Sequence, residues 1–371
     1  MGAGIGEHAC ARRNREAMNT KMNTKLIDAI AKAVLYEGYM LYPYRASSVK
    51  NRQRFNFGVL YPKSYSEQQS GSDNWTMQTE CLVQGALPAI EVRVRFLKLV
   101  ARTVRNLADP DAATSAEKPS GESLPPQFEA SAPWQEAIEC EVTVPVRNLD
   151  DLMVAPLEHK FAFLAKDETE PLRGEGGQIL GMTDRKQKSI QGTVEIKSTR
   201  VAAGLYKLQV RVKNLTASEY AAAETTRDSA LMLSLVSAHT LLGAVHGEFV
   251  SLLEPPEDLK DFVSNCENIG AWPVLVGAEG ERDTMLASPI ILYDYPQIAP
   301  ESPGDLFDGT EIDEILALRI MTMTDDEKRE MCAVDDRARK ILERTESLPI
   351  EHLAKLHGTL RDLRSLKEEM P

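Results

Sequence analysis

The chain has 371 residues, of which 43% are hydrophobic and 27% charged, and this composition fits a globular protein with one large domain or two ordinary ones. Its formal charge of −13 at pH 7 argues against nucleic acid and anionic lipid as partners, because both carry phosphates that need cations for binding. The five cysteines are dispersed and form no C-x-x-C pair. This spacing argues against disulfides and Cys-rich metal sites and favours a cytoplasmic protein.

The N-terminal segment precedes the first predicted element. It contains the tandem repeat MNTKMNTK and no apolar stretch of the kind found in secretory signals. Met1, Met18 and Met22 are all potential translation starts, so residues 1–23 are predicted to be a disordered tail or a consequence of start-site choice. A helix is predicted next, from Thr24 to Tyr36, where apolar residues recur at helical spacing.

Alternating apolar and polar residues then predict antiparallel strands. The segment Ile90–Phe96 alternates with a period of two, and the phase changes at Phe96–Leu97, which predicts a β-bulge. Another strand is predicted over Ile138–Val146. The alternation in Val194–Val212 predicts a hairpin with its turn at Ala203–Gly204.

Two polar segments are predicted to be loops, the Pro-rich residues 109–133 and the charged residues 167–177. The most apolar stretch, Ser229–Val245, is short for a membrane span and contains several polar residues. It is predicted to be a buried core helix that ends at Gly243, so membrane insertion is not expected.

The remaining predicted elements are short. Strands are expected at Phe249–Leu253, Trp272–Val276 and Pro289–Leu292, with a helix near Glu257–Cys266. Three C-terminal helices are expected at Glu311–Met321, at Thr324–Ser347 and from Pro349 onward.

These elements predict an α+β fold, in which an antiparallel, β-sandwich-like sheet layer carries packed helices and a C-terminal helical region. The predicted organisation has three parts. They are a disordered tail (1–23), a mixed α+β core (24–298) interrupted by a flexible loop (109–133), and an acidic loop with C-terminal helices (299–371).

One candidate binding region is rich in tyrosine and arginine, the residue types favoured at interface hot spots. Its arginines could also clasp a carboxylate or phosphate; the alternative is a local core cluster with solvated cations. The candidate partner- or ligand-binding residues are Glu37, Tyr39, Tyr42, Tyr44, Arg45, Asn51 and Arg52.

A second candidate is the acidic loop 294–314, whose dense carboxylates could hold a hard cation. Helix capping is the competing interpretation, since carboxylates stabilise a helix N-terminus. The candidate metal ligands are Glu301, Asp305, Asp308 and Glu311. Three further polar candidates are Glu80, Cys81 and His239, for which a buried structural role is the competing interpretation. No cofactor is identified.

Five phrases give the chain a resemblance to a known family: LYEGYMLYPYR (35–45), NRQRFNFGVLY (51–61), GEFVSLL (247–253), SPIILYD (288–294) and IAPESPGDLFDGTEIDE (298–314). The set resembles an uncharacterised bacterial family associated with gene clusters of NiFe hydrogenases. The resemblance extends from about residue 24 to residue 345. It implies a cellular context and a protein partner, such as a hydrogenase subunit or maturation factor, but assigns no catalytic residue.

Three functional hypotheses follow. The first is an accessory or assembly protein that binds a protein partner, and the absence of a Walker loop or a G-x-S-x-G elbow favours it over an enzyme. The second is an enzyme or metal-handling protein that uses the acidic loop. The third is a structural subunit of a larger complex.

Overall fold

The computed structural model describes residues 24–35, 58–69, 73–106, 134–173, 177, 179–217 and 226–297, with a few positions between 320 and 347. Within these residues the strands are β1 (Thr76–Gln84), β2 (Ala89–Asn106), β3 (Trp134–Asn148), β4 (Leu157–Phe163), β5 (Lys166–Arg173), β6 (Ile179–Gln187), β7 (Ile190–Ala202), β8 (Leu205–Asn214), β9 (Val236–Val245), β10 (Glu248–Phe249), β11 (Trp272–Leu275) and β12 (Thr284–Ser288). The α-helices are α1 (Thr24–Leu35), α2 (Lys63–Gln68), α3 (Leu149–Val154), α4 (Arg227–Leu231) and α5 (Lys260–Ser264), and a 3-10 turn at Glu257–Leu259 precedes α5.

The strands form two sheets in which every described pairing is antiparallel. Sheet A has the order β10-β1-β8-β7-β4. Sheet B has the order β11-β12-β9-β2-β6-β5, and β3 pairs with β2. The long strand β2 is the centre of sheet B, because β9 pairs with its first half, β6 with its second half, and β3 with most of its length.

The two sheets pack face to face around one apolar core, which makes the fold a β-sandwich. Alternate residues of β2, such as Val92 and Val94, meet alternate residues of β8, such as Leu208 and Val210, in this core. The outer face of sheet B is also covered, since the apolar face of α1 packs on β9, β11 and β12. The outer face of sheet A carries polar side chains, and one of the polar clusters described below lies there.

The predicted α+β class is therefore wrong, because the described part of the chain is mostly β-sheet and its helices are short. The main error is Ser229–Val245, which was expected to be one helix. Only Arg227–Leu231 is helical, and Val236–Val245 is strand β9, in which every residue is buried. A strand buried on both faces has no polar alternation, so its sequence has the same appearance as a buried helix.

Three smaller predictions also need correction. The strand expected at Phe249–Leu253 is only the two-residue β10, Glu248–Phe249. The charged segment 167–177 was expected to be a loop, but most of it belongs to β5. This strand is largely exposed on both faces, so it lacks the apolar alternation by which strands are recognised. The strand expected at Pro289–Leu292 lies earlier, at Thr284–Ser288, the last strand that the structure describes.

Other elements agree with their predictions. Helix α1 covers almost the predicted range, and β7 and β8 form the predicted hairpin around Ala203–Gly204. The β2–β9 register shifts between Arg95 and Leu97, but the extra residue lies in β9, between Val236 and His239, so the bulge is in the neighbouring strand, and β2 stays in register with β3 at this point. The predicted tail, the loop 109–133 and the third C-terminal helix lie outside the described residues, and the domain boundaries stay a prediction. None of the described helices is long and apolar enough to cross a membrane.

Candidate functional site

The sequence-predicted site residues divide into those with a described environment and those without one. Glu80, Cys81 and His239 have one. The others lie outside the described residues, namely Glu37, Tyr39, Tyr42, Tyr44, Arg45, Asn51, Arg52, Glu301, Asp305, Asp308 and Glu311.

Glu80 is the centre of a polar cluster on the outer face of sheet A, and only 4% of the residue is exposed. Gln209, its neighbour on β8, donates to Oε1 at 2.5 Å, and Lys207 donates to Oε2 at 3.1 Å. The backbone N–H of Glu267 also donates to Oε2, at 2.9 Å. Burial alone would raise the pKa of Glu80, but these donors together hold the pKa below its ordinary value. The carboxylate is therefore ionised, and both of its oxygens accept hydrogen bonds from within the protein.

The loop before β11 closes this cluster along the edge of β1. The side-chain amide of Asn268 accepts from the Glu80 N–H at 2.9 Å and donates to the Glu80 carbonyl at 3.3 Å. It thus takes the place of a peptide group in a neighbouring strand. Two residues earlier on β1, Gln78 pairs with the Ile269 backbone and accepts from the Arg211 guanidinium. We define the Glu80 cluster as Gln78, Glu80, Lys207, Gln209, Arg211 and the loop Glu267–Ile269.

Cys81 follows Glu80 but faces the opposite way, because neighbouring side chains of a strand lie on opposite faces. It is fully buried in the core between the sheets. Burial raises the pKa of Cys81 well above its ordinary value, so the thiol is protonated. A protonated, inaccessible thiol is neither a good nucleophile nor a metal ligand.

His239 lies on strand β9 rather than on the predicted helix, and it is fully buried. Its Nδ1 is 3.0 Å from the Ser237 carbonyl, and its Nε2 has no hydrogen-bond partner. Burial is the main cause that lowers the pKa of His239 to about 4. Its cross-strand neighbour Arg95 binds Asp28 of α1 and Glu141 of β3, each at 2.6 Å. The imidazole is therefore neutral at neutral pH.

Sequence reasoning missed a buried cation on β2. Leu97 and Leu99 pack on one face of the strand, so Lys98 between them faces the interior, and only 2% of the residue is exposed. Its ammonium group donates to the Leu164 carbonyl at 2.9 Å. Burial lowers the pKa of Lys98 and raises that of the nearby Cys140 to about 11. The signal that could have located Lys98 in the interior is its place in the alternation of Val92, Val94 and Phe96, which β2 continues without a break.

The three described candidates do not converge on one site. Glu80 lies on the outer face of sheet A, Cys81 lies between the sheets, and His239 lies in sheet B. Among the described residues, no group of three or more His, Cys, Asp and Glu side chains is arranged to hold a metal ion. The geometry therefore gives these three residues separate, structural environments.

A different feature is a group of exposed apolar side chains beside β11, which we call the β11 ledge. Its members, with their exposed fractions, are Leu253 (52%), Trp272 (42%), Ile291 (80%) and Tyr293 (61%). The neighbours Ile290 and Leu292 pack against α1 on the outer face of sheet B, so the alternation in this segment directs Ile291 and Tyr293 outward.

Asp294 fixes the backbone of the ledge. One carboxylate oxygen accepts from Ser251 Oγ at 2.5 Å and the other from the Leu275 N–H at 2.8 Å. The next residue, Tyr295, donates from its N–H to the Leu275 carbonyl at 2.7 Å. The segment that carries Ile291 and Tyr293 is thereby attached to the outer edge of β11.

Gly58 supports the start of the same segment. It has φ of +54°, and a Cβ atom at this position would lie 2.5 Å from Cγ of Pro289. Glycine is therefore required here both for the backbone conformation and for the close approach of Pro289. The ledge is thus held from two sides, at Pro289 and at Asp294.

Comparison with models of known protein families and with curated protein sequences found no match to this chain.

Proposed function

We propose that this protein is an accessory or assembly protein that acts by binding a protein partner in the biogenesis of NiFe hydrogenases. The observation that carries the proposal is the β11 ledge, where four large apolar side chains are exposed on β11 and on segments that hydrogen bonds of Asp294 join to it. Large apolar residues grouped at the surface are typical of protein-interaction sites.

The segments behind the family resemblance also support the proposal. Gly58, in the phrase 51–61, packs on Pro289, in the phrase 288–294. Ser251, in the phrase 247–253, donates a hydrogen bond to Asp294 in that same phrase. Three of the five phrases therefore meet at the ledge, although they are far apart in the sequence.

The proposal is tested by deleting the gene in its native host and measuring hydrogenase activity and nickel content. We expect both to fall and to be restored by the wild-type gene. A gene carrying Ile291→Asp and Tyr293→Asp should not restore them, because charged side chains would remove the apolar anchors from an interface core. The matched control is Val154→Asp, at an apolar position of α3 that is 86% exposed; this gene should restore both.

Normal hydrogenase activity and nickel content in the deletion strain would contradict the proposal. The thermal unfolding midpoints of the purified variants should match that of the wild type, since the substituted side chains are exposed. This comparison separates a lost interaction from a lost fold.

The alternative of an enzyme or metal-handling protein rests on Glu301, Asp305, Asp308 and Glu311. Asp294, at the start of the same acidic loop, uses both carboxylate oxygens to fix the ledge, so it is a backbone anchor. The Asp305→Asn and Asp308→Asn variants test this alternative, which predicts loss of the in vivo phenotype. The third hypothesis, a structural subunit of a larger complex, also predicts a bound partner. Gene deletion and complementation do not separate it from the accessory role.

A further inference from the structure

We infer that the protein forms a two-fold symmetric homodimer, in which strand β4 (Leu157–Phe163) pairs antiparallel with β4 of a second copy. The inference does not depend on the proposed function, because β4 forms the end of sheet A opposite β10 and carries no residue of the β11 ledge. It follows from the free backbone groups of β4, from its half-covered apolar side chains and from its self-complementary charges.

Strand β4 is an unprotected edge among the strands that the structure describes. The edge strands of sheet B each contain a proline, which cannot donate to an added strand: Pro145 in β3, Pro171 in β5 and Pro273 in β11. The pairing of β3 with β2 and that of β5 with β6 also shift register, and such irregularities disfavour strand addition. Strand β4 contains no proline, and it pairs with β7 without a shift.

The free side of β4 presents regularly spaced backbone donors and acceptors. The β7 neighbour of Ala162 is Gln191, whose C=O accepts from the N–H of Leu215, just after β8, at 2.9 Å. The backbone of Gln191 therefore bonds away from β4. Because hydrogen-bonded and non-hydrogen-bonded pairs alternate along antiparallel strands, the N–H and C=O groups of Glu158, Lys160 and Ala162 point to the free side. Among the described residues, no strand pairs with that side.

The side chains of β4 that face the core are only half covered. Three of them are apolar and stay partly exposed, although they pack against the core between the sheets: Leu157, Phe161 and Phe163. The core-facing apolar side chains of β7, which has a strand on each side, are at most 1% exposed: Ile190, Val194 and Ile196. A strand added beside β4 would cover the first group as β4 covers the second, and this burial of apolar surface favours association.

The charges of β4 are complementary to those of a second copy in one register. With the two-fold axis at His159, Glu158 lies opposite Lys160 of the second copy, and Lys160 lies opposite Glu158 of that copy. Each of these pairs exchanges two backbone hydrogen bonds and joins opposite charges. In the same register Leu157 lies opposite Phe161 of the second copy, so the half-covered apolar side chains also pair. A two-fold contact therefore satisfies both copies with the same surface.

The charges within one copy leave this contact available. The side chains of Glu158 and Lys160 are 52% and 78% exposed, and they approach each other only to 3.7 Å. On β7, Glu158 faces another acid, Glu195, which already pairs with Lys213 of β8. Lysine from a second copy therefore gives Glu158 the cross-strand countercharge that β7 does not. A register with the axis at Lys160 would instead place two lysines opposite each other, which is unfavourable.

Charge exchange between two copies tests the inference. Sedimentation velocity of the full chain over a micromolar concentration range should show a dimer for the wild type. Lys160→Glu or Glu158→Lys alone should raise the dissociation constant about tenfold, because both symmetry-related pairs become repulsive. An equimolar mixture of the two single variants should regain the wild-type affinity as a heterodimer, since Glu then lies opposite Lys in both pairs. Lys260→Glu, at an exposed position of α5, is the control and should leave the dissociation constant unchanged.

Cysteine crosslinking tests the position of the axis. His159→Cys places two thiols opposite each other in a non-hydrogen-bonded pair, whose Cα atoms are about 4.5 Å apart and within reach of a disulfide. With diamide as the oxidant, we expect a covalent dimer of this variant. Ala162→Cys is the matched control, because this position of β4 lies away from the axis and does not meet its own copy. The wild type shows whether the native cysteines crosslink under the same conditions.

Several outcomes would overturn the inference. They are a monomer throughout the concentration range, a mixture of the two single variants that stays monomeric, and no disulfide in His159→Cys. A dimer with an unchanged dissociation constant in Lys160→Glu would place the contact elsewhere and would also overturn it. The same holds if His159→Cys crosslinks to an unrelated protein in place of a second copy. None of these outcomes bears on the proposed function, which gene deletion tests separately.

Discussion

The buried ionisable groups of the two sheets differ in how many hydrogen-bond partners they have. In sheet A, the buried carboxylate of Glu80 accepts three hydrogen bonds, from Gln209, Lys207 and Glu267. In sheet B, the Lys98 ammonium donates to a single backbone carbonyl, and the Nε2 atom of His239 has no partner.

This difference shows that burial alone does not determine the protonation state that the fold stabilises. Where donors surround a buried acid, the charged form is favoured and the pKa of Glu80 falls. Where partners are few, burial disfavours the charged form of a base, and the pKa values of Lys98 and His239 fall. We therefore expect removal of these three side chains to have opposite or pH-dependent consequences for stability.

The largest expected effect comes from breaking the Glu80 cluster. Glu80→Ala should lower the free energy of unfolding by about 3 to 4 kcal/mol, because it leaves the partly buried donors of Lys207, Gln209 and Glu267 without their acceptor. Glu195→Ala is the matched control. Glu195 also pairs with a lysine of β8, Lys213, but lies at a more exposed position, so the loss should be below about 1 kcal/mol. If urea denaturation gave equal losses of unfolding free energy for Glu80→Ala and Glu195→Ala, the Glu80 cluster would contribute no more than an exposed ion pair.

The second prediction concerns His239 and acid pH. Its pKa is about 4 in the folded protein and 6.5 ordinarily, so the unfolded chain binds the proton more tightly. The resulting stability is fully present above pH 6.5 and is lost as the pH falls from 6.5 to about 4, by up to about 3 kcal/mol. His239→Gln should remove this slope when urea midpoints are compared between pH 4 and 6.5. An unchanged slope would assign the acid sensitivity to other groups.

The smallest expected effect is a gain. Lys98→Met should raise the free energy of unfolding at pH 7 by about 1 kcal/mol, since it replaces a poorly compensated buried cation by an apolar chain of similar length. Because the folded pKa of Lys98 lies below the usual 10.5, the wild type should also gain stability as the pH rises toward 10.5. Lys98→Met should lack that gain.

Lys98→Arg is the control for this prediction, because it keeps the charge and should not stabilise the protein. A thermal unfolding midpoint of Lys98→Met below that of the wild type would indicate that the hydrogen bond to Leu164 outweighs the cost of burying the cation. In that case the two sheets would not differ as described above.

The parts of the fold that were predicted correctly are those with a clear local pattern. The alternation along β7 and β8 and the amphipathic helix α1 both follow from residues close together in the sequence. Strand β9 was missed because all ten of its residues are buried, which removes the periodicity. Strand β5 was missed for the opposite reason, since both of its faces are mostly exposed.

The site residues were harder to predict than the strands. The contact between Glu80 and Asn268 joins positions 188 residues apart, and nothing near Glu80 in the sequence indicates it. The β11 ledge depends on similar distant contacts, of Gly58 with Pro289 and of Ser251 with Asp294. Sequence patterns report which face a residue occupies, whereas these contacts depend on how separate segments meet.

The amide of Asn268 has a consequence for aggregation. A sheet edge with free N–H and C=O groups is a template on which another chain can add a strand. Along β1, this edge is occupied in succession by Ile269 at Gln78, by Asn268 at Glu80, by Val250 at Leu82, and by β10 at the strand's end. One side chain thus takes the place of backbone between Ile269 and Val250, and it helps to keep the β1 edge of sheet A from serving as a template for intermolecular growth.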